Sequence, residues 1–322
     1  ASVGQGFEAP GAPPGAAEAL VEGWPVALAE VQGAGRGLVA KRPLEAGELL
    51  LSAEVAGVTV ETSHRGGVCH GCLALGPSRH EPAEACATPR APSQGSLADG
   101  EGGAAEGFRL CAGCGAVAFC SGACAAIHAE RHGAQCEALR RLEALRLPKG
   151  EASLARLLCD VAAAGSGLAS ALTLARDEPD VPQFRRRQRQ RRAAVAAFQG
   201  VAGTGRLGGL AAAELEAVLA GVPLTEFGLV DQADVTRGVV IAPAIAFANH
   251  SCLPNAAKRI ERRRVCLYAI RPIAAGEEVR FSYLGRDHRG EERRRALWDT
   301  WRIRCACARC LSEGAPAGGG PA

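Results

Sequence analysis

Apolar positions come in short strand-like runs towards both ends of the chain and recur at helical spacing in its middle. From Gly35 the run GRGLVAKRPLEAGELLLSAEV reads as two short strands joined by a turn at Glu45–Gly47, and GVTVE at Gly57–Glu61 adds another strand. Between Glu137 and Gly221 the spacing changes. Leu139, Leu142 and Leu145, then Leu154, Leu157 and Leu158, fall three or four apart, as do the apolar residues of AAAELEAVLAG. Side chains so spaced share one helix face, which predicts several short packed helices. After Gly238 strands return in VVIAPAIAFANHS, RVCLYAI and EEVRFSY, with a turn at Ala274–Glu277, and a charged helix is expected near Arg289–Trp301. The pattern predicts an α+β chain, mainly β, whose β part is split around other material.

The polar and small-residue stretches mark the joints. Residues 1–24 form an Ala-, Gly- and Pro-rich lead expected to be disordered, and 313–322 a flexible tail of similar composition. The Pro/Gly/Ala-rich spacer from Leu73 to Leu110 reads as a mobile surface insertion. No basic residue precedes Arg36, so no secretory signal or transit peptide is expected, and without any methionine residue 1 is not expected to be the native start. With 322 residues, 48% hydrophobic and 22% charged, the composition is that of a globular chain with room for two domains, and no apolar run approaches the length of a membrane span. A net charge of +3 does not by itself select nucleic acid as a partner. The run RRRQRQRR at Arg185–Arg192 leaves two readings open, a nucleic-acid or nuclear-import patch and, favoured, a solvated helix face.

The fourteen cysteines add chemistry that hydrophobic patterning cannot show. Cys69-x2-Cys72 is followed by Cys111-x2-Cys114-x5-Cys120-x3-Cys124-x7-His132-x3-Cys136. A CxxC turn presents two sulfurs to one ion, so these ligands suit two tetrahedral zinc sites rather than disulfides. His132 has better spacing than His128, and His70 is expected to be exposed. Cys305-x-Cys307-x2-Cys310 supplies three further sulfurs, with Cys252 the candidate fourth ligand. Cys86, Cys159 and Cys266 belong to no motif, and Cys266 is expected in a strand core.

The segment Asn249-His250-Ser251-Cys252-Leu253-Pro254-Asn255, followed by Gly276-Glu277-Glu278-Val279-Arg280-Phe281-Ser282-Tyr283, resembles the two signature motifs of SET-domain methyltransferases. Gly35-Arg36-Gly37-Leu38 matches the start of that fold. The 69–136 spacing resembles a MYND zinc finger, and its place inside a split SET domain resembles the SMYD family. The resemblance implies a discontinuous SET domain over 25–284, interrupted by the finger at 69–136 and a helical insert at 137–235, then a post-SET zinc segment at 285–312. Members of the family often carry a C-terminal helical repeat domain, which is expected to be absent here.

By the same resemblance Arg36, Gly37, Asn249, His250 and Tyr283 contact S-adenosylmethionine, Tyr283 stands at the methyl-transfer centre, and Phe227 walls a lysine channel. Cys252, Cys305, Cys307 and Cys310 hold a third zinc ion. The implied activity is protein-lysine methylation of a histone or non-histone substrate in nucleus or cytoplasm, with Pro-rich peptides as further partners of the finger. Departures from the family pattern occur at Trp301, where relatives carry a second channel tyrosine, at Thr225-Glu226, at Ala246 and at Ile303. They keep a second function open, that of an interaction module on a degenerate SET scaffold.

Overall fold

The computed structural model describes residues 16–76, 108–165, 182–203, 207–285 and 288–314. Most of the lead, most of the spacer with Cys86, and nearly all of the tail lie outside them. A short helix α1 (Ala16–Ala19) precedes strands β1 (Val26–Val31), β2 (Gly35–Ala40), β3 (Leu49–Glu54) and β4 (Gly57–Val60). The cysteine-rich part forms the pair β5 (Arg109–Leu110) and β6 (Ala118–Phe119) and helix α2 (Gly122–Ile127). Helices α3 (Ala129–Ala144), α4 (Lys149–Ala164), α5 (Pro182–Ala202) and α6 (Ala212–Thr225) follow. Strands β7 (Glu226–Val230), β8 (Thr236–Ile241), β9 (Asn249–His250), β10 (Ala256–Glu261), β11 (Arg264–Ala269) and β12 (Glu278–Phe281) lead to helices α7 (Gly290–Trp301) and α8 (Ala308–Ser312).

The β part is indeed split. The sheets run β1-β2-β12-β9, β10-β11-β3 and β4-β8-β7, so β2, β3 and β4 each pair with a strand that follows the helices. The expected turn at Glu45–Gly47 exists, with Gly47 at φ +86°, but it does not join a hairpin, because β2 and β3 belong to different sheets. Three strands absent from the sequence reading, β1, β7 and β10, sit at sheet edges. In β10, half solvated at its edge, Lys258 and Arg259 interrupt the apolar pattern that marks a strand.

Local sequence sets the helix limits. Ser121 caps α2 by accepting the Cys124 N–H at 3.0 Å, and Glu214 starts α6 by accepting the Ala211 N–H at 2.7 Å. Gly165, at φ +104°, stops α4. The 137–235 range is corrected at both ends. Helix α3 runs unbroken across residue 136, and β7 begins at Glu226. His132 and Cys136 thus lie on the same rigid helix as Leu139 and Leu142, which bury against the other helices.

Two apolar cores result. One joins the cysteine-rich part to the helices through Phe119, Leu139, Leu157, Leu158, Phe198 and Leu219. The other fills the sheets with Leu38, Leu51, Val240, Val265, Leu267 and Val279, and burial of each such side chain contributes about 1.5–3 kcal/mol. Between them stands Asp160, fully buried on α4. Its carboxylate accepts from Val58 N (2.9 Å), Gln135 Nε2 (2.9 Å), Arg131 Nε (3.1 Å) and an Arg263 guanidinium nitrogen (2.8 Å). Burial disfavours the charge, yet Arg263, His70 and Arg131 hold this carboxyl well below the usual carboxylate range. His70 is a correction to the sequence reading. It is only 6% exposed, because its ring packs 3.3 Å from Asp160 while its carbonyl accepts from Arg263 at 2.6 Å.

Candidate active site and metal centres

Three groups of sulfur and imidazole ligands converge. Cys69 and Cys72 meet Cys120 and Cys124; Cys111 and Cys114 meet His132 and Cys136; Cys252 meets Cys305, Cys307 and Cys310. The first two interleave, alternate ligand pairs along the chain serving alternate sites. Sulfur–sulfur distances include 3.5 Å (Cys69–Cys124), 3.6 Å (Cys72–Cys120), 3.8 Å (Cys111–Cys136) and 3.6 Å (Cys252–Cys310). Four thiolates about 2.3 Å from a tetrahedral zinc ion stand about 3.8 Å apart, whereas a disulfide needs about 2 Å. The spacing and donor sets therefore fit zinc. His132 is a member and His128 is not, as the spacing predicts. Burial pushes His132 down to about 4, leaving the neutral imidazole that a metal requires.

One thiol in each group is held towards the thiolate. For Cys69 and Cys111 burial acts against ionisation, but several hydrogen bonds together outweigh it, from the backbone N–H groups of Cys72 and Cys120 and the Cys124 thiol at Cys69, and from the N–H groups of Cys114 and Gly113 and the Cys136 thiol at Cys111. Cys305 is pulled far down, mainly by its hydrogen bond with Cys252, whose own thiol is pushed up in return.

The third group adjoins the segment expected to carry chemistry. Strand β9 lies parallel to β12, with Asn249 opposite Arg280 and His250 opposite Phe281. Ser251 N donates to Phe281 O (3.0 Å) and Asn255 N to Arg280 O (3.1 Å). Asn255, 3% exposed, binds β12 a second time. Its Oδ1 accepts from Arg280 N (2.8 Å), and its Nδ2 donates to Glu278 O (2.8 Å) and Glu277 Oε1 (3.0 Å). Two chain segments far apart in sequence are locked side by side by backbone and amide bonds.

This lock sets the tyrosine. His250 Nδ1 accepts the Tyr283 N–H at 3.1 Å, which leaves Nε2 as the N–H facing Cys252 Sγ at 3.1 Å. The Tyr283 hydroxyl donates to Ala248 O at 2.9 Å. Around its ring stand Phe281 (4.9 Å), His250 (5.3 Å) and Trp301 (5.4 Å), with Phe227 6.1 Å beyond Phe281. Trp301 is fixed by its indole N–H on Pro223 O at 3.3 Å, and Ile303 packs in the same small cluster around Cys252. Thr225 uses its hydroxyl on Gly221 O, one turn back in α6.

Arg36 and Gly37 reach the site through Asn249, whose Nδ2 donates to Arg36 O (3.2 Å) and Glu278 Oε1 (2.8 Å). A Cβ on Gly37 would lie 2.7 Å from Val31 Cγ2 and 2.8 Å from Asn249 Nδ2, so no side chain fits there unless these groups shift. The Arg36 guanidinium lies 5.5 Å over the Phe247 ring. The sequence-predicted residues Arg36, Gly37, Phe227, Asn249, His250, Tyr283 and Trp301 are thus linked, directly or through one neighbour, into one site with the third sulfur group. The other two groups lie apart from it, in the core shared with the helices. The structure adds Asn255 and Glu278, both inside the recognised motifs but with roles that only the β9–β12 pairing reveals. Among the described residues no helix is long and apolar enough to cross a membrane.

A family model described as the SET domain matches residues 35–284. Histone-lysine N-methyltransferase SMYD3 of Mus musculus is 38% identical over 76 residues, covering 24% of this chain and 18% of that protein. N-lysine methyltransferase SMYD2-B of Xenopus laevis is 33% identical over 101 residues, 31% of this chain and 24% of that protein. A SET and MYND domain-containing protein of Dictyostelium discoideum is 30% identical over 91 residues, 28% of this chain and 22% of its own. Each match spans under a quarter of the relative's length. Among solved structures, the SET domain of LSMT bound to lysine and AdoHcy aligns with a TM-score of 0.40 at 11% identity, over 84% of this chain and 52% of that one.

Proposed function

The chain belongs to the SET-domain family, and from that premise we propose that it transfers the methyl group of S-adenosylmethionine to lysine side chains of other proteins, with zinc held in its three cysteine groups. The observation that carries this reading is the β9–β12 lock, which sets Asn249, His250 and Tyr283 side by side and fixes the Tyr283 hydroxyl on a backbone carbonyl. The relatives, named as lysine methyltransferases, support the reaction class.

In this account Arg36, Gly37, Asn249, His250 and Tyr283 line the cofactor site. Asn249 spends its amide N–H groups on Arg36 and Glu278 and keeps its carbonyl oxygen for an ammonium group. His250 has both ring nitrogens engaged, so its contact with the cofactor is through backbone or ring face. S-adenosylmethionine, when bound, supplies a methyl group on a sulfonium leaving group. The protein's task is to deliver a neutral amine in line with it. A free lysine has a pKa of about 10.4, and an apolar channel walled by Phe227, Phe281, Tyr283 and Trp301 disfavours its charged form. Tyr283, anchored through its own proton to Ala248, directs its remaining lone pair at the amine. Alignment of this kind supplies much of the rate.

The substrate assigned is a nuclear or cytoplasmic protein with an exposed lysine, and the finger offers Pro-rich peptides a separate surface. The exposed arginines of α5, one of them 3.7 Å from Glu216, read as a solvated helix face. One observation favours the second reading, an interaction module on a degenerate scaffold: Trp301 stands against Tyr283 where a channel tyrosine is expected and spends its only polar group on Pro223. Calorimetric titration of the zinc-loaded chain with S-adenosylmethionine separates the two. Saturable binding that Asn249→Leu abolishes is the expected result; a folded, zinc-loaded chain that binds none makes it a scaffold.

A further inference from the structure

Arg293 lies in the first turn of α7 and is only 3% exposed. A cation there runs against the helix dipole, and a buried cation is costly without opposing charge. Among the described residues one carboxylate pairs with it, that of Glu313 just past α8, which accepts from Nη2 at 2.6 Å. That carboxylate is shared, because Arg309 Nε also donates to it at 3.1 Å. Two guanidinium groups thus face a single carboxylate, and positive charge is left over. The same Nη2 lies 3.6 Å from Cys310 Sγ, and Cys252 is close enough to act on the guanidinium as well. Its Nε and Nη1 are buried without a hydrogen-bond partner among the described residues.

The surplus charge faces the third sulfur group. Four thiolates around Zn²⁺ leave a net charge of about −2, which groups behind the ligands can offset. The finger sulfurs take hydrogen bonds from backbone N–H groups, Cys120 N on Cys69 (3.3 Å) and Ala116 N on Cys114 (3.4 Å). The third group has side-chain donors, His250 Nε2 on Cys252 (3.1 Å) and Arg293 on Cys310, and the guanidinium brings a permanent positive charge. Resting on the reading that this group holds zinc, we propose that Arg293 is a positioning residue that retains zinc in the third group and, through it, holds the His250–Tyr283 pair. Its cation offsets the charge of the thiolates, which makes the sulfurs less open to electrophiles and slows loss of the ion. With the ion retained, Cys252 stays opposite His250, and His250 Nδ1 stays on the Tyr283 N–H.

The test compares Arg293→Met, Arg293→Lys and Glu313→Gln with the wild-type chain, each loaded with zinc. Bound zinc is counted, and alkylation by iodoacetamide is followed cysteine by cysteine by mass spectrometry, with the finger cysteines as internal reference. Arg293→Met is expected to speed alkylation of Cys252, Cys305, Cys307 and Cys310 by about tenfold or more, the scale on which groups behind a metal ligand act, and to leave the finger cysteines at the wild-type rate. Arg293→Lys keeps the charge and restores most of the protection. Glu313→Gln separates charge from mere bracing of α7 against α8, since it removes the ion pair but leaves the cation on the sulfurs; protection should match the wild type. Methyl transfer by Arg293→Met should fall in step with the lost zinc and recover when excess zinc is supplied. The proposal is overturned if Arg293→Met cysteines react at the wild-type rate, if Glu313→Gln is as unprotected as Arg293→Met, or if activity is lost while the third ion stays bound. Should Arg293→Met not fold, the Lys and Gln variants decide: protection kept in both supports the charge role, and loss in either overturns it. A wild-type chain that holds two ions, with the third group reacting as free thiols, overturns the zinc reading and the proposal with it. If the wild-type chain transfers no methyl group, the enzyme reading fails, and the alkylation rates alone decide on Arg293.

Discussion

Single residues in this site act mainly by holding others. Asn255 ties down the strand that delivers the tyrosine, through the Arg280 N–H, the Glu278 carbonyl and the carboxylate of Glu277 just before it. Asn255→Ala leaves the Arg280 N–H and the Glu278 carbonyl without partners. It should cost about 2–4 kcal/mol, read as a lower urea midpoint at unchanged slope. Gly37 is restrictive in a different way, since the space for a Cβ is already taken by Val31 and Asn249. Gly37→Ala is expected to displace Asn249 and weaken S-adenosylmethionine binding by about tenfold or more while leaving zinc content unchanged, because positioning errors of an ångström are costly. Titration calorimetry beside zinc analysis checks both halves of that statement.

Between elements, the decisive joint is the Asp160 carboxylate. It gathers α3, α4, β4 and the turn before β11 with charged and neutral donors in a fully buried place. Asp160→Asn keeps the shape but leaves Arg131 and Arg263 without their counter-charge, and the cost should be about 3–5 kcal/mol. The pH dependence follows from the depressed pKa. An aspartate titrating near 3.9 in the unfolded chain and well below that when folded contributes stability in full above about pH 4–5, and that contribution is lost as the pH falls through the folded value. Urea midpoints of wild type and Asp160→Asn should therefore lie far apart at pH 7 and draw together in acid; a gap that stays constant would show that another group sets the joint. Nothing in the local sequence announces this aspartate. Its partners lie at positions 58, 70, 131, 135 and 263, and only the folded topology brings them together. The burial of His70 escapes the local sequence for the same reason, since a histidine between two cysteine ligands gives no local sign that it is buried. Strand β10 was hidden by its own chemistry, because Lys258 and Arg259 break the apolar alternation that revealed β11.

For the molecule as a whole, the ligand spacings and the two SET motifs were legible because metal binding and tight turns fix residue types at short range. The split of the β part was legible too, but the pairing of ligands into sites and of strands into sheets depends on long-range contacts that spacing cannot encode. The third sulfur group links the two kinds of knowledge. Cys252 follows His250 by two residues and faces its ring N–H, so the third sulfur group and the tyrosine share one support. Chelation should thus abolish methyl transfer and, at the same time, lower the unfolding temperature through the finger, with zinc released from all three groups. The central claim is tested most directly by incubating the zinc-loaded chain with labelled S-adenosylmethionine and a mixed protein extract, beside the variant Tyr283→Phe. The account predicts label on protein lysines from the wild-type chain and a loss of about 100-fold or more in the variant, which keeps its fold and its zinc but lacks the hydroxyl that orients the amine; a folded, zinc-loaded wild-type chain that transfers no label to any protein, or a variant as active as the wild type, would contradict it.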